Sequence, residues 1–246
     1  MRSVERLPLA DDSKVGLLVS MPSFLKTSGE ASSCFVATKA FTVFPANGEA
    51  GKPAHQGVTL LFEAEHGTLV SIADAHTVTA TRTAAASAVA TRAVARDGPC
   101  SLALLGSGTQ AVAHFEAMRC VRELCEVHIW SRTPANAETL AAELQHRAGA
   151  ALPVHVHNTV AEAVLNADVI CTLTGNRAID APLLTASMVR PGTHINAVGA
   201  CQPAYRELDA SLVLGARLFV DTRAACAPSR VHCGFIPRTH TLQHTP

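Results

Sequence analysis

The chain has 246 residues, 48% of them hydrophobic and 16% charged, and its 20 Lys and Arg balance 20 Asp and Glu. Zero formal charge leaves no basic footprint for nucleic acid or an anionic membrane, and no run is apolar and charge-free for the roughly 18 residues a membrane span requires. The opening MRSVERLPLADD holds no apolar stretch of signal-peptide length, so the expectation is a soluble cytoplasmic protein with one large core or two modest ones.

From residue 34 to 73 the runs CFVATKAFTVF, GVTLLFEAE and GTLVSIAD are short and β-like, and turn-rich pieces such as PANGEAGKPAHQG separate them. They predict a small mixed sheet. TVTATRTAAASAVATRAVARDG, residues 77–98, is alanine-rich, lacks Gly and Pro until Gly98, and closes with Arg92 and Arg96 where positive charge suits the helix dipole. It predicts one long helix. After Pro99 the texture alternates: CSLALLG, TQAVAHFEAMRCVREL, EVHIWS, PANAETLAAELQHRAG, LPVHVH, TVAEAVLNA, DVICTLTG, THINAVG and ARLFVD. Strand and helix patterns taking turns at this interval predict a parallel sheet with crossover helices. The fold class is therefore α/β: a smaller mixed α+β domain over 1–97, a Rossmann-type parallel-sheet domain over 98–224, and a polar, proline-punctuated tail over 225–246.

Eight cysteines, at 34, 100, 120, 125, 171, 201, 226 and 233, form no CxxC and no zinc-knuckle spacing. Most lie in apolar runs, where a reduced cysteine packs as a small hydrophobe. His155 and His157 would share one strand face, but no third ligand is identifiable and no metal site is expected.

Gly106-Ser107-Gly108-Thr109-Gln110-Ala111 fits G-x-G-x-x-A between a buried strand and a helix. Gly106 permits a sharp turn, Gly108 lets backbone approach a pyrophosphate, and Ala111 lets helix and strand pack closely; helix N-terminal amides then face the negative charge. A plain β-turn-α corner is the competing reading. The next strand ends in Ser131-Arg132-Thr133 with no acid to bond a ribose 2′-OH. Hydroxyls flanking an arginine suit a 2′-phosphate, so the expected cofactor is NADPH.

All four lysines, at 14, 26, 39 and 52, precede the dinucleotide domain, which excludes a P-loop. The single tyrosine, Tyr205, is followed four places later by Asp209, which argues against a Tyr-x-x-x-Lys dehydrogenase. An active-site cation must come from the first domain, and Lys39, inside an apolar β-run, is the candidate. Arg82 and Thr83, early in the long helix, could clamp a carboxylate or phosphate, or lie solvated on its surface.

MPSF, ATKAFTVFPAN, PAHQGVTLLFEAEHGTL, ADAHTVTATRTAAASAVATR, LGSGTQAVAHFEA, VHIWSRTPANAE, ADVICTLT, PGTHINAVGA and YRELDASLV occur in this order over roughly residues 15–224. In these motifs the chain resembles the ornithine cyclodeaminase/mu-crystallin family. The resemblance implies a substrate-binding and dimerisation domain joined to a Rossmann domain, and a homodimer. It implies that Lys39 contacts substrate, that Arg82, with neighbouring Thr83, binds the substrate carboxylate, and that a second arginine falls on Arg2 or Arg6. Gly106, Gly108, Thr109, Gln110 and Ala111 match the family's pyrophosphate loop, and Ser131, Arg132 and Thr133 its 2′-phosphate site. Thr172, Thr174 and Val198 line its nicotinamide side.

The chain departs from the family in two ways. Ornithine cyclodeaminases carry an aspartate just after AVGG, where this chain has Ala200-Cys201-Gln202. Members without that acid resemble ketimine reductases, so the expected activity is NADPH-dependent reduction of small ketimine carboxylates. Ornithine cyclodeaminase or amino-acid dehydrogenase activity, and a catalytically inactive NADPH- or thyroid-hormone-type ligand-binding protein, stand as alternatives. The family's opening helices and closing segment have no counterpart here, so the first domain is expected to be incomplete.

Overall fold

The computed structural model describes residues 3–7, 16–26, 34–174, 181–200 and 205–220. They fall into two compact units, 1–82 and 83–246.

In the first unit β1 (Ser3–Arg6), β2 (Leu17–Lys26), β3 (Cys34–Val43), β4 (His55–Glu63) and β5 (Leu69–Asp74) pair in chain order, and every pair is antiparallel. The sheet is a meander, not the mixed sheet that the sequence suggests. Parallel neighbours would need long crossovers, and these strands follow one another too closely for that. β2 tolerates Pro22 because β1 pairs only with Leu17–Ser20, so at Pro22 the strand has a described neighbour on one side alone.

Side chains alternate between faces along each strand, and cross-strand partners share a face. One face carries Val19, Met21, Lys39, Phe41 and Thr59, with Lys39 in register with both Met21 and Thr59. The other carries Leu18, Phe24, Val36, Val58 and Ile72, all exposed, Phe24 by 64% and Ile72 by 63%.

The long helix is α1 (Ala75–Val94). It starts two residues before the predicted 77 because the Asp74 carboxylate accepts the Thr77 N–H at 2.7 Å, a bond that also lowers the Asp74 pKa. The division between units falls inside this helix, at Arg82/Thr83, not after it near residue 98. The physical reason is that the second half of α1 is bonded into the second unit. Ala88 joins its core, and Ser87 Oγ lies 3.0 Å from His114 Nε2. Asn196 Nδ2 donates to Thr91 Oγ1 at 2.9 Å, and Arg122 donates to the Thr91 and Ala95 carbonyls at 2.9 and 3.2 Å. Arg122 thereby brings a guanidinium to carbonyls at the C-terminal end of the helix, the negative end of its dipole.

The second unit alternates β6 (Cys100–Leu105), α2 (Thr109–Arg119), β7 (Leu124–Trp130), α3 (Pro134–Ala148), β8 (Val154–Val156), α4 (Val160–Val164), β9 (Val169–Thr172), β10 (His194–Ala197) and α5 (Ala210–Leu214). The strand order is β10-β9-β6-β7-β8, all parallel, as the alternation predicts. Every residue of β6 is buried. Phe115, Met118, Leu140 and Leu144 pack in one cluster, and Ala163, Val164, Ala167 and Leu184 in another. The order reverses at β6, whose neighbours are β7 and β9, and a crevice at such a switch point is where α/β sheets bind ligands.

One expected strand is not formed among the described residues. Residues 216–220 of ARLFVD are irregular, with Leu218, Phe219 and Val220 exposed, and no described strand flanks β10 on its outer side. His155 and His157 both meet His128 of β7: His157 Nε2 lies 3.0 Å from His128 Nδ1, and the His155 ring stacks on His128. Cys100 and Cys171 are buried, and burial pushes their thiols up to about 11 and about 12. Among the described residues no helix is long and apolar enough to cross a membrane.

His114 is fully buried, with Nδ1 2.8 Å from the Gln110 carbonyl. A carbonyl can only accept, so Nδ1 holds the proton and Nε2 accepts from Ser87. Burial keeps its pKa below the ordinary 6.5. Below that pH the unfolded chain takes up a proton that the folded chain refuses, so stability present at neutral pH is lost as pH falls. Urea unfolding at pH 7.5 and 5.5 should show the loss, and His114→Gln should flatten it by up to about 1.4 kcal/mol per pH unit.

Candidate functional site

At the switch point β6 runs straight into the glycine turn. Gly106 N donates to the Trp130 carbonyl at 2.8 Å, which ties the ends of β6 and β7 together. Its φ is +128°, and a Cβ there would stand 2.9 Å from the Leu173 carbonyl oxygen just after β9. Only glycine satisfies both constraints. Gly108 differs: its backbone is extended and its missing side chain faces open space. It is the N-cap of α2, and no described side chain caps that helix, so the positive end of the dipole meets only backbone. Ala111 is fully buried under the turn.

Ser107, Gly108, Thr109 and Val112 line a cavity of about 480 Å³ together with Asn136 and Leu140 of α3. Gln110 Oε1 is buried without a hydrogen-bond partner among the described residues. An uncapped helix start, an open glycine and an orphaned acceptor fit a phosphate-bearing group with hydroxyl or amide donors. Ser131 Oγ lies 2.8 Å from Ser107 Oγ, which joins the second candidate cluster to the first. Arg132 and Thr133 are exposed, and Thr133 is the N-cap of α3, again without a described side-chain cap. Arginine at an open helix start is suited to an additional phosphate.

The third cluster lies at the ends of β9 and β10. Thr172 is fully buried and its hydroxyl donates to Glu207 Oε2 at 2.7 Å, so it borders the site through its backbone and not its hydroxyl. Thr174 and Val198 are half-buried, and Val198 N donates to the Thr172 carbonyl at 3.1 Å. Glu207 itself was not singled out from sequence. It sits in YRELDASLV, where no periodicity separates a buried acid from a surface one, and only its four donors reveal it.

In the first unit Lys39 is half-buried, and its Nζ donates to Thr79 Oγ1 at 2.8 Å and lies 4.2 Å from the Phe41 ring centre. Thr79 Oγ1 passes its own proton to the Ala75 carbonyl, which fixes the hydroxyl as an acceptor toward Lys39. Thr59, the cross-strand partner of Lys39, has a buried hydroxyl without a partner among the described residues. Burial, then the Lys39 charge, hold the nearby His55 pKa below its ordinary value. Arg82 and Thr83 stand three and four residues after Thr79, on the same helix face, Arg82 exposed and Thr83 half-buried. Arg6 ends β1, whereas Arg2 and Cys201 lie outside the described residues.

Two units of this kind, an antiparallel sheet carrying an inward lysine and a parallel sheet with a glycine turn at its switch point, define a two-domain α/β protein with a Rossmann-type half. The chain belongs to the ornithine cyclodeaminase/mu-crystallin family, whose model matches residues 5–229, further at both ends than the motifs alone reach. It is 39% identical over 210 residues to ketimine reductase mu-crystallin of Mus musculus, covering 85% of this chain and 63% of that relative. It is 35% identical over 186 residues to Delta(1)-pyrroline-2-carboxylate reductase of Paracoccus denitrificans, covering 75% and 57%. The chain thus spans less than two thirds of the length of these relatives. Among solved structures, Delta(1)-pyrroline-2-carboxylate reductase of Thermococcus litoralis, in complex with NADH and L-proline, matches with a TM-score of 0.79 at 28% identity, covering 96% of this chain and 69% of that one.

The two glycines of the turn should respond differently to alanine. Gly106→Ala meets both a positive φ and the Leu173 carbonyl, and should lower unfolding free energy by about 1–3 kcal/mol. Gly108→Ala meets nothing and should leave it within about 0.5 kcal/mol. Chemical denaturation of both variants checks this.

Proposed function

We propose that the chain is an NADPH-dependent reductase of small ketimine carboxylates. The observation that carries this reading is the Gly106–Ala111 turn, with its forced glycine, open glycine and uncapped α2. The names of the relatives at 39% and 35% identity, both reductases of C=N compounds, support it, as does the absence of an acid at Ala200-Cys201-Gln202.

In this reading Gly106, Gly108, Thr109, Gln110 and Ala111 hold the pyrophosphate, and Ser131, Arg132 and Thr133 take the 2′-phosphate. Thr174 and Val198, with the backbone at Thr172, border the nicotinamide. Bound NADPH supplies the hydride that turns C=N into CH–NH. Arg82, Thr83 and one of Arg2 or Arg6 anchor the substrate carboxylate. Lys39 serves the imine nitrogen, its ammonium held in place by Thr79 and the Phe41 ring while it donates a hydrogen bond or a proton. Protonation at nitrogen makes the imine carbon electrophilic, and little further acid–base machinery is required. The reading includes a homodimer, supported by the exposed apolar residues on the outer face of the first sheet.

NADPH deuterated at C4, incubated with piperideine-2-carboxylate, should place deuterium on the ring carbon bearing the carboxylate. Unlabelled product from folded protein overturns the reading, and tight NADPH binding with no turnover reassigns the chain as a ligand-binding protein.

Two substitutions should separate the roles. Lys39→Met should lower kcat by about 100-fold or more while NADPH affinity stays within about threefold. Arg132→Gln should weaken NADPH by about 10- to 100-fold and leave NADH unchanged, because only the 2′-phosphate loses a partner. Fluorescence titration and steady-state kinetics read both.

A further inference from the structure

Glu207 is a fully buried acid on which four hydrogen bonds converge. Oε1 accepts from Thr174 N and Thr174 Oγ1, each at 2.7 Å. Oε2 accepts from Thr172 Oγ1 at 2.7 Å and from Gly199 N at 2.8 Å. The backbone on either side is pinned as well: Leu184 N donates to the Glu207 carbonyl at 3.0 Å, and Asp209 N to the Leu184 carbonyl at 2.9 Å. Gly199 has to be glycine, since a Cβ would collide with the Thr174 carbonyl and with Glu207 Oε1. A buried carboxylate is tolerated only when its oxygens are satisfied, and here donors from the ends of β9 and β10 satisfy both.

This arrangement has a chemical consequence. A hydroxyl has one proton to give. The proton of Thr174 Oγ1 is committed to Glu207, so toward any ligand that oxygen is an acceptor only. The Thr174 and Gly199 N–H groups are likewise spent. The end of β9 therefore offers ligands an acceptor where an unconstrained threonine could present either sign.

We propose that Glu207 is a positioning residue for the nicotinamide end of the cofactor: it locks the ends of β9 and β10 together and fixes the Thr174 hydroxyl as an acceptor for the carboxamide N–H. This rests on the reading above that Thr174 and Val198 border the nicotinamide. Glu207 acts through Thr172, Thr174 and Gly199 and need not touch the cofactor.

Glu207→Gln is the discriminating variant, because each carboxylate oxygen faces a backbone N–H that cannot rotate away. Whichever way the amide turns, its NH2 confronts Thr174 N or Gly199 N. In the full chain, Glu207→Gln should weaken NADPH, measured by fluorescence titration, by about tenfold or more, and leave 2′,5′-ADP, which lacks the nicotinamide, within about twofold by calorimetry. In the cofactor-free protein, hydrogen exchange at the Thr174 and Gly199 amides should accelerate. Thr174→Val should reproduce the selective loss of NADPH affinity, and Thr174→Ser, which keeps the hydroxyl, should restore it.

Unchanged NADPH affinity in Glu207→Gln overturns the proposal, as does equal weakening of NADPH and 2′,5′-ADP, which would mark a general packing role. If Glu207→Gln fails to fold by circular dichroism, Thr174→Val decides, and normal NADPH affinity there overturns the proposal. Failure of the unsubstituted chain to bind both ligands overturns the dinucleotide reading beneath it, an outcome distinct from those that overturn the role of Glu207 alone.

Discussion

Between the last residue of β6 and the backbone just after β9 there is no room for a methyl group. Gly106 turns there with φ +128°, and its missing Cβ is the space the Leu173 carbonyl needs. Because the turn is this tight, β6 ends level with its neighbours and α2 begins within three residues, its first amides directed over the switch point. The cavity, the open Gly108 and the Ser107–Ser131 contact all follow from that geometry. The helix dipole and unclaimed amides then make the place electrically attractive to phosphate before any charged side chain takes part.

Several buried polar groups of the second unit are held by hydrogen bonds from distant parts of the chain. Glu207 gathers the ends of β9 and β10, and His114 joins Ser87 to the Gln110 carbonyl. Thr91 and Asn196 join α1 to β10. Fully satisfied buried networks make alternative packings costly, since any shift strands a donor or an acceptor. Of these, the Glu207 network lies at the ends of β9 and β10, beside the residues proposed to border the nicotinamide.

Much of this was legible in the sequence wherever periodicity or glycine spacing carried the signal. β6, α2, β7 and α3 alternate on schedule, and the glycine spacing marks the turn, where at Gly106 backbone geometry leaves no other residue suitable. Lys39 stood out as a cation in an apolar strand, and the contact with Thr79 explains how it is kept there. What stayed hidden depends on partners distant in the chain. β2 was obscured by Pro22, which lies beyond the described pairing of β1 with Leu17–Ser20. ARLFVD reads as a strand by its apolar run, yet residues 216–220 pair with no described strand. Glu207 resembles any surface acid until Thr172, Thr174 and Gly199 are folded around it. The domain division was displaced because Ser87, Ala88 and Thr91 look like ordinary positions of an alanine-rich helix, and their bonds lie in the second unit.

The uncovered side of the meander has its own effect on how the molecule behaves in a tube. Leu18, Phe24, Val36, Val58 and Ile72 present aliphatic and aromatic carbon to water. Sulfate and other excluded salts raise the free energy of such surface, so the chain should be retained strongly on a phenyl resin and salt out early for its neutral charge. Handling conditions for this protein are thereby dictated less by its ionisable groups than by a single bare layer of β-structure.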